Sequence, residues 1–587
     1  MDKNIYAVDF ETYYDKECSI KTLGTLGYFS HPQFDAYMVS VVGNDGTSFV
    51  GHPKDFNWDI LTGNIVLSHN ASFDETLYLY GVEHEWWDSC DPFEWHCTAD
   101  LAAYCKLPRS LKGSTAELFD LTVDKSTRDN MSGKRWEEMT KEFKDEVSEY
   151  ALKDSELCLK LWETLSDKWP EFERNISRLN RKIVQEGIPI NEDLLKEQLE
   201  TIKVKLFEAE EVIPWLGEKP LLSRAAFDEQ CLLVGIEPPV SLAVTDEESQ
   251  KWVEYHSKEF AWISAVKDWR RINSLQKKLE SFDYATMPNG RYYGGCMYFG
   301  AHTGRFSGSG GNLNLQNLPR EEMFGVNLRH LIAPNSDKRL IAVDLSQIEV
   351  RTLCWLAKDS EMLEEIRNTD DIYEAFAIRF GMWDEEKGSI KQDPKLRHAV
   401  KGMVLGCGYG AGAARFASMS GISEDEAGKR VRKYRMKMRR VKNLWDKYTS
   451  DIECSHQAKS EFTVDLPSGR VINYGRLKAL AEGGRLHFIT KMPKHGKNIT
   501  VRLWGGLVAE NASQALARDI FSDMLLRVDK AGHRIIMHVH DEMVIEADED
   551  KAKQTLEDVI SIMSKPPEWI PDIPVDAEGS ILTKYEK

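Results

Sequence analysis

The apolar positions of this chain change period as it is read from its N-terminus. Alternation in IYAVDFETYY (5–14), followed by the apolar stretches YMVSVVG (37–43) and NIVLSHN (64–70), predicts strands, and the 3.6-residue spacing that follows to about residue 170 predicts helices. Strands covered by helices make an α/β unit. From about 171 to 290 the pattern is helical and charged, broken near Pro238 and Pro239, with one long amphipathic run from Glu254 to Phe282. It predicts an extended helical arm. A Gly-rich loop (294–311) precedes the strand RLIAVDLS (339–346), about 150 helix-rich residues follow, and the strand pair RIIMHV and EMVIEA lies near the C-terminus. A second sheet is therefore expected, its strands separated by a helical insertion.

Composition narrows the class. At about 150 residues per domain, 587 residues make roughly four domains' worth of chain, with 42% apolar and 10% aromatic residues to fill their cores. No run of 18 apolar residues occurs, no basic-then-apolar leader opens the chain, and the mean hydropathy is −0.45. These features point to the cytoplasm and to no membrane partner. Ten cysteines without a CxxC pair are expected to be reduced thiols. The net charge of −19 argues against a nucleic-acid partner, but Lys429 to Lys442 carries nine basic residues in fourteen and no acid. That segment, in a helical pattern, suits a polyanion.

Two groups of acids carry the chemistry. Asp9 and Glu11 sit two apart in a strand and so share one face of a sheet. Asp74 follows a strand and loop, and Tyr150 and Asp154, four apart, share a helical face. Hard carboxylate oxygens suit Mg²⁺ or Mn²⁺, and two such ions can activate water against a phosphodiester. In order and spacing, DFE (9–11), HNxxFD (69–74) and YxxxD (150–154) resemble the DEDDy type of 3′–5′ proofreading exonuclease. The resemblance implies an RNase H-like domain over 1–170, with Asp9, Glu11, Asp74 and Asp154 as metal ligands and Tyr150 orienting the water.

The second group is spread more widely. Asp344 ends the strand LIAVD, where its carboxylate and the Leu345 carbonyl can hold a metal, and Asp541 and Glu542 lie at the bend between two strand-like runs. Between them Arg397, Lys401, Leu405 and Tyr409 recur every four residues, which places two cations and a phenol on one helical stripe able to clamp a triphosphate. DLSQIEVR (344–351), the Arg397–Gly410 spacing and HDE (540–542) resemble motifs A, B and C of family A DNA polymerases. TGRFSGSGGNLNLQNLPR (303–320) and ENASQALARDIF (510–521) are similar to the family's loop before motif A and its later glutamine helix.

This resemblance implies an α/β and α+β multidomain chain in which a right-hand polymerase follows the exonuclease. Its parts would be a thumb (171–295), palm (296–355 and 509–587) and fingers (356–508). By the same resemblance Asp344, Leu345 and Asp541 would hold two Mg²⁺ (or Mn²⁺) ions, as would the exonuclease acids, and Glu542 would support the site. Arg397 and Lys401 would bind and neutralise the triphosphate, with Lys401 able to protonate pyrophosphate. Gln347, Glu349, Tyr373, Leu405 and Tyr409 would line the nucleotide pocket, Glu349 crowding the sugar 2′ position. Arg305, Gln316, Asn317, Gln514 and His540 would contact DNA, Arg305 and Gln514 at minor-groove acceptors and His540 at the primer end. The implied partners are primer-template DNA, dNTPs and replisome proteins, and the implied state is a monomer.

Three positions depart from the cellular pattern: Leu405 where Phe or Tyr is usual, Tyr373 where His is common, and Leu345 in place of Tyr. They bear on nucleotide affinity and sugar discrimination. The run VLGCGYG (404–410) is similar to the bacteriophage-encoded branch, which would place the protein in a host cytoplasm replicating a phage genome. The alternatives are a single-subunit RNA polymerase, against which Glu349 argues, and a decayed DNA-binding factor, against which the intact acids argue.

Overall fold

Period-two alternation along β1 (Ile5–Glu11) decides the N-terminal layer. Tyr6, Val8 and Phe10 enter an aromatic core, where the Phe10 ring lies 5.8 Å from Trp58 and 5.5 Å from Trp87. Ala7 faces the opposite way, into a core with Cys158, Leu161 and Trp162. The computed structural model describes residues 3–121, 126–243, 246–308, 313–494 and 497–586, so residues 309–312 of the Gly-rich loop lie outside the described residues. β2 (Met38–Gly43), β3 (Ser48–Gly51), β4 (Ile65–Ser68) and β5 (Glu94–Cys97) complete a sheet in the order β3-β2-β1-β4-β5. β1 pairs antiparallel with β2 and parallel with β4, and β4 pairs parallel with β5. The strand expected from IYAVDFETYY thus ends at Glu11. Helix α1 (Ala71–Glu83) follows β4, and α2 (Lys141–Leu165) lies against β1 and β2. The Ser40 hydroxyl fixes α2 there, donating to the Ala151 carbonyl at 2.8 Å.

Helices α3 (Glu171–Glu186) and α4 (Glu192–Glu211) begin the expected helical arm. The single run expected over Glu254 to Phe282 is instead two helices, α5 (Glu247–His256) and α6 (Ala261–Ala285). Phe260 is extended between them, and the fold-back places Val253, Trp262 and Ile263 in one small core with Trp215 and Phe227. A straight helix would have left part of that apolar surface in water.

The second sheet uses β6 (Lys338–Leu345), β12 (Ile535–Val539), β13 (Glu542–Asp548) and β14 (Ala577–Leu582) in the order β12-β13-β6-β14. As expected, a long insertion separates β6 from the C-terminal pair. It opens with α7 (Ile348–Leu356), α8 (Ile372–Arg379), α9 (Pro394–Cys407), α10 (Glu424–Lys437) and α11 (Arg439–Gln457). The insertion is not purely helical: β7 (Glu461–Asp465), β8 (Val471–Arg476), β9 (Lys478–Glu482), β10 (Arg485–Lys494) and β11 (Lys497–Leu503) form two small antiparallel sheets. The buried–exposed alternation of EFTVD carries that signal, whereas β9 is exposed throughout and has no buried face to betray it.

Helix α12 (Gly505–Lys530) then packs against α7 and α11, and its Phe521 ring lies 6.2 Å from His538 of β12. Its first residue touches α11 so closely that a Cβ would lie 1.8 Å from the Trp445 carbonyl oxygen and 2.6 Å from the Thr449 hydroxyl. Gly505→Ala is expected to destabilise the fold by about 1–3 kcal/mol, read as a lower urea midpoint.

Two acidic sites and the relatives of the chain

In the N-terminal unit, alternation puts Asp9 and Glu11 on the face of β1 that meets α2, where Tyr150 and Asp154 project one turn apart. Asp74 lies in the first turn of α1, whose dipole favours an acid there. The Phe10 backbone N–H donates to Asp74 Oδ1 at 3.2 Å and locks α1 to β1. All five predicted residues line one cleft of about 1390 Å³, together with Arg128 and, from the far wall, Asn180 and Tyr298.

Burial, then the charges of Glu11, Asp74 and Asp154, hold the Asp9 carboxyl well above the usual range. Burial and Asp154 push Glu11 up to about 8, and burial pushes Asp74 up to about 8 against the Phe10 hydrogen bond. Burial and then Asp154 also raise the Tyr150 phenol, so it is neutral and able to donate. The Arg128 guanidinium opposes the shifts of Asp9 and Glu11, and nothing in its neighbourhood had marked it in the sequence. Among the described residues no three side chains already stand in a metal-ligating arrangement. The donor set nevertheless fits a hard divalent cation, because oxygen ligands of like charge are crowded together at a cost that such a cation relieves.

A measurable linkage follows. In EDTA the folded chain keeps protons on Glu11 and Asp74 that the unfolded chain releases, so their contribution to stability is full below about pH 4 and is lost as pH rises through about 8. Glu11→Gln is expected to flatten that fall, and Mg²⁺ to reverse it, in denaturation curves taken across this window.

The second site is assembled by strand register. Asp344 faces Glu542 across the β6–β13 pairing and Glu578 across the β6–β14 pairing. The turn between β12 and β13 consists of His540 and Asp541, with His540 at φ 55°, so Glu542 belongs to the strand rather than to the tip. The Leu345 N–H donates to the Asp541 carbonyl at 3.1 Å, which brings the Asp541 turn against the end of β6. Burial and then the Asp344 and Glu349 charges push Asp541 up to about 6. Glu542 accepts from the Tyr585 hydroxyl at 2.7 Å, so it braces the hairpin. Glu578, exposed and accepting from Ser346 at 3.0 Å, completes a row of acids that only the register reveals. The Leu345 side chain is buried, leaving its backbone for the site.

Helix α9 presents the expected stripe. Lys401 and Leu405 are exposed and Arg397 half-buried, while Val400, Met403, Val404 and Cys407 face the core. Arg397 Nε donates to Asp371 at 2.6 Å, which leaves both terminal nitrogens of the guanidinium for another anion. Its guanidinium carbon lies 5.2 Å from the Tyr373 ring centroid. Tyr373 is itself buried, and its ring lies against Arg397. Asp371 went unremarked in the sequence, although its place as N-cap of α8 was a legible signal.

Around the hairpin, Arg305 pairs with Glu349, and both act on the His540 imidazole, which burial and then Arg305 hold below its ordinary value. Burial and then Glu349 raise the Tyr409 phenol. Gln347, at φ 47°, is N-cap of α7, and Gln514 Nε2 donates to Glu510 at 3.3 Å. Gln316 is buried beside Cys296, while Asn317 is exposed. A buried ionic network supports this region: Arg518 donates to Glu173 at 3.0 Å, Arg470 to Asp519 at 2.9 Å and to the Thr303 carbonyl at 2.8 Å. It ties α3 and α12 to the loop bearing Arg305.

Known proteins resemble this chain over much of its length. The family model for DNA polymerase family A matches residues 235–587, more than half of the chain. The DNA polymerase of Bacillus phage SP02 is 26% identical over 99% of this chain and 99% of its own length. The thermostable DNA polymerase I of Thermus filiformis is 24% identical over 75% of this chain, which spans 51% of that protein. The solved POL domain of Pol1 from M. smegmatis, in complex with DNA primer-template and dNTP, superposes with a TM-score of 0.69 over 100% of this chain and 96% of its own, at 17% identity. That likeness covers the fold, with its palm, fingers and thumb. This chain belongs to DNA polymerase family A.

Proposed function

We propose that the protein is a template-directed DNA polymerase that extends a primer 3′ end with dNTPs and trims it with a separate 3′–5′ exonuclease. The carrying observation is the turn that sets Asp541 against the end of β6, where Asp344 stands. Two divalent ions of the Mg²⁺ or Mn²⁺ class at each site, when bound, supply the charge that activates the attacking oxygen and stabilises the leaving one. Asp344, Asp541 and the Leu345 carbonyl hold them for synthesis, and Asp9, Glu11, Asp74 and Asp154 for trimming.

The remaining residues bind and orient. Arg397, aimed by Asp371, and the exposed Lys401 neutralise the triphosphate, with Lys401 placed to give pyrophosphate a proton. Glu349 crowds the sugar, Tyr409 and Leu405 flank the new base pair, and Gln347 and Tyr373 shape the pocket from behind. Arg305, Gln514, Gln316, Asn317 and His540 hold the primer-template. Tyr150, kept protonated, orients the water in the trimming site. The β3-β2-β1-β4-β5 sheet supports an RNase H-like exonuclease over 1–170, followed by thumb (171–295), palm (296–355, 509–587) and fingers (356–508). Primer extension with one nucleotide at a time tests the reading. Only the complementary dNTP is expected to add, in Mg²⁺ and not in EDTA; equal use of ribonucleotides would favour an RNA polymerase.

A further inference from the structure

The basic run Lys429–Lys442 is not one helix. Helices α10 and α11 meet at Met438, which is fully buried at φ −102° and ψ 55° and ends one helix as it begins the other. The cations near its two ends are satisfied: Lys429 pairs with Asp425 at 2.8 Å, Arg430 with Glu426 at 2.9 Å, and Lys442 with Asp446 at 2.5 Å. Those are ordinary i,i+4 pairs of a solvated helix. Between them the pairing stops. Among the described residues Arg432, Lys433, Lys437, Arg439 and Arg440 have no acid within the 4.0 Å of an ion pair, in a chain whose net charge is −19.

The bare cations border a concavity. A groove of about 440 Å³ at the junction is lined by Lys437, Arg439 and Arg440, with Met436 57% exposed, and by Asp359, Glu361 and Arg379. Arg379 is already neutralised by Asp359 at 3.1 Å and Glu365 at 2.7 Å, so the attraction to an anion comes from the junction itself.

Its position decides what the anion is. The N-terminal end of α8 holds Arg397, where the triphosphate binds in the reading above, and Arg379 is the last residue of that helix. The next ring, Phe380, lies 5.8 Å from Tyr434 of α10, whose hydroxyl would lie 3.6 Å from a Cβ at Gly408, so the groove lies toward the Tyr409 end of α9. Arg435 closes the gap, its Nη2 donating to the Ala411 carbonyl at 3.3 Å, two residues beyond Tyr409. Trp504, 41% exposed, packs against Gly410 so tightly that a Cβ there would meet its ring at 2.8 Å. An exposed indole followed by a line of unpaired cations is the surface that a single strand prefers, bases stacking on the ring and phosphates following the charge.

We propose that this groove is a track for the unpaired template strand ahead of the templating base, entered past Trp504 and Arg435 and held at Lys437, Arg439 and Arg440. The proposal rests on the polymerase reading. The test is fluorescence anisotropy of the full chain on primer-templates with template overhangs of about one and about ten nucleotides, across a salt series. Wild type is expected to bind the long overhang about tenfold more tightly. Combined Lys437→Ala, Arg439→Ala and Arg440→Ala is expected to erase that gain while leaving the short overhang unchanged. The slope of log K against log salt for the long overhang should shrink by about 2, from about 0.7 per phosphate over three contacts.

Retention of the gain by the triple variant would overturn the proposal, as would equal weakening on both substrates. So would displacement of a labelled oligo-glutamate from the groove with the overhang gain untouched, which would assign the surface to an acidic protein segment. Absence of primer extension by wild type would instead strike the polymerase reading, and extension with no overhang gain would strike the track alone.

Discussion

Asp541→Asn is expected to lower primer extension by about 10³-fold or more, a barrier increase on the order of 4 kcal/mol, while single-strand degradation continues at the wild-type rate. Asparagine keeps the size and the turn but removes the charge from one of the two acids that would hold ions at the primer end. The turn itself should persist, because the Leu345 N–H bonds the backbone carbonyl of residue 541 and not its side chain. Degradation is spared because Asp9 and Glu11 stand on a different sheet with its own aromatic core, and Asp74 and Asp154 on the helices beside it. Labelled-primer gels with and without dNTPs read both activities in one experiment. Loss of both from this one change would refute two independent sites.

Asp9→Ala is expected to do the reverse, lowering degradation by about 10³-fold or more with extension intact. The charges of three neighbouring acids, Glu11, Asp74 and Asp154, all bear on Asp9. Its removal therefore relieves repulsion in the metal-free fold, and the variant should melt no lower than wild type in EDTA. Lost activity with unchanged or raised stability separates a functional acid from a structural one. A drop in both would mean that the carboxylate props up β1.

What the sequence disclosed follows from how far apart the informative residues lie. Asp9 with Glu11, Tyr150 with Asp154, and the Arg397–Tyr409 stripe are local patterns, and period alone put their side chains on common faces. The second site needed register. That Asp344 faces Glu542 and Glu578 depends on pairings between residues about two hundred positions apart, which no window of sequence contains. Resemblance named Asp344 and Asp541 without that geometry, but not Glu578. The partners of the named residues were equally hidden. Asp371 aims Arg397, Arg128 balances the N-terminal acids, and Arg470 holds the Thr303 carbonyl beside Arg305.

Where periodicity misled, tertiary packing was the cause. The helix expected through residues 257–260 folds back because a small tryptophan-rich core takes both halves. The basic run breaks at Met438 because that side chain is fully buried between its two helices. Strands β9 to β11 sit in a small sheet beside the helices of the insertion, and the helical pattern around them dominated the reading.

Two separate groups of carboxylates are each expected to gather divalent ions about a phosphate. Diffraction at the manganese edge from crystals grown with primer-template, dNTP and Mn²⁺ would locate those ions. Anomalous peaks between Asp344 and Asp541, and a second set among Asp9, Glu11, Asp74 and Asp154, are the predicted result. Manganese at neither place, with Asp344 and Asp541 turned apart in the bound complex, would contradict it.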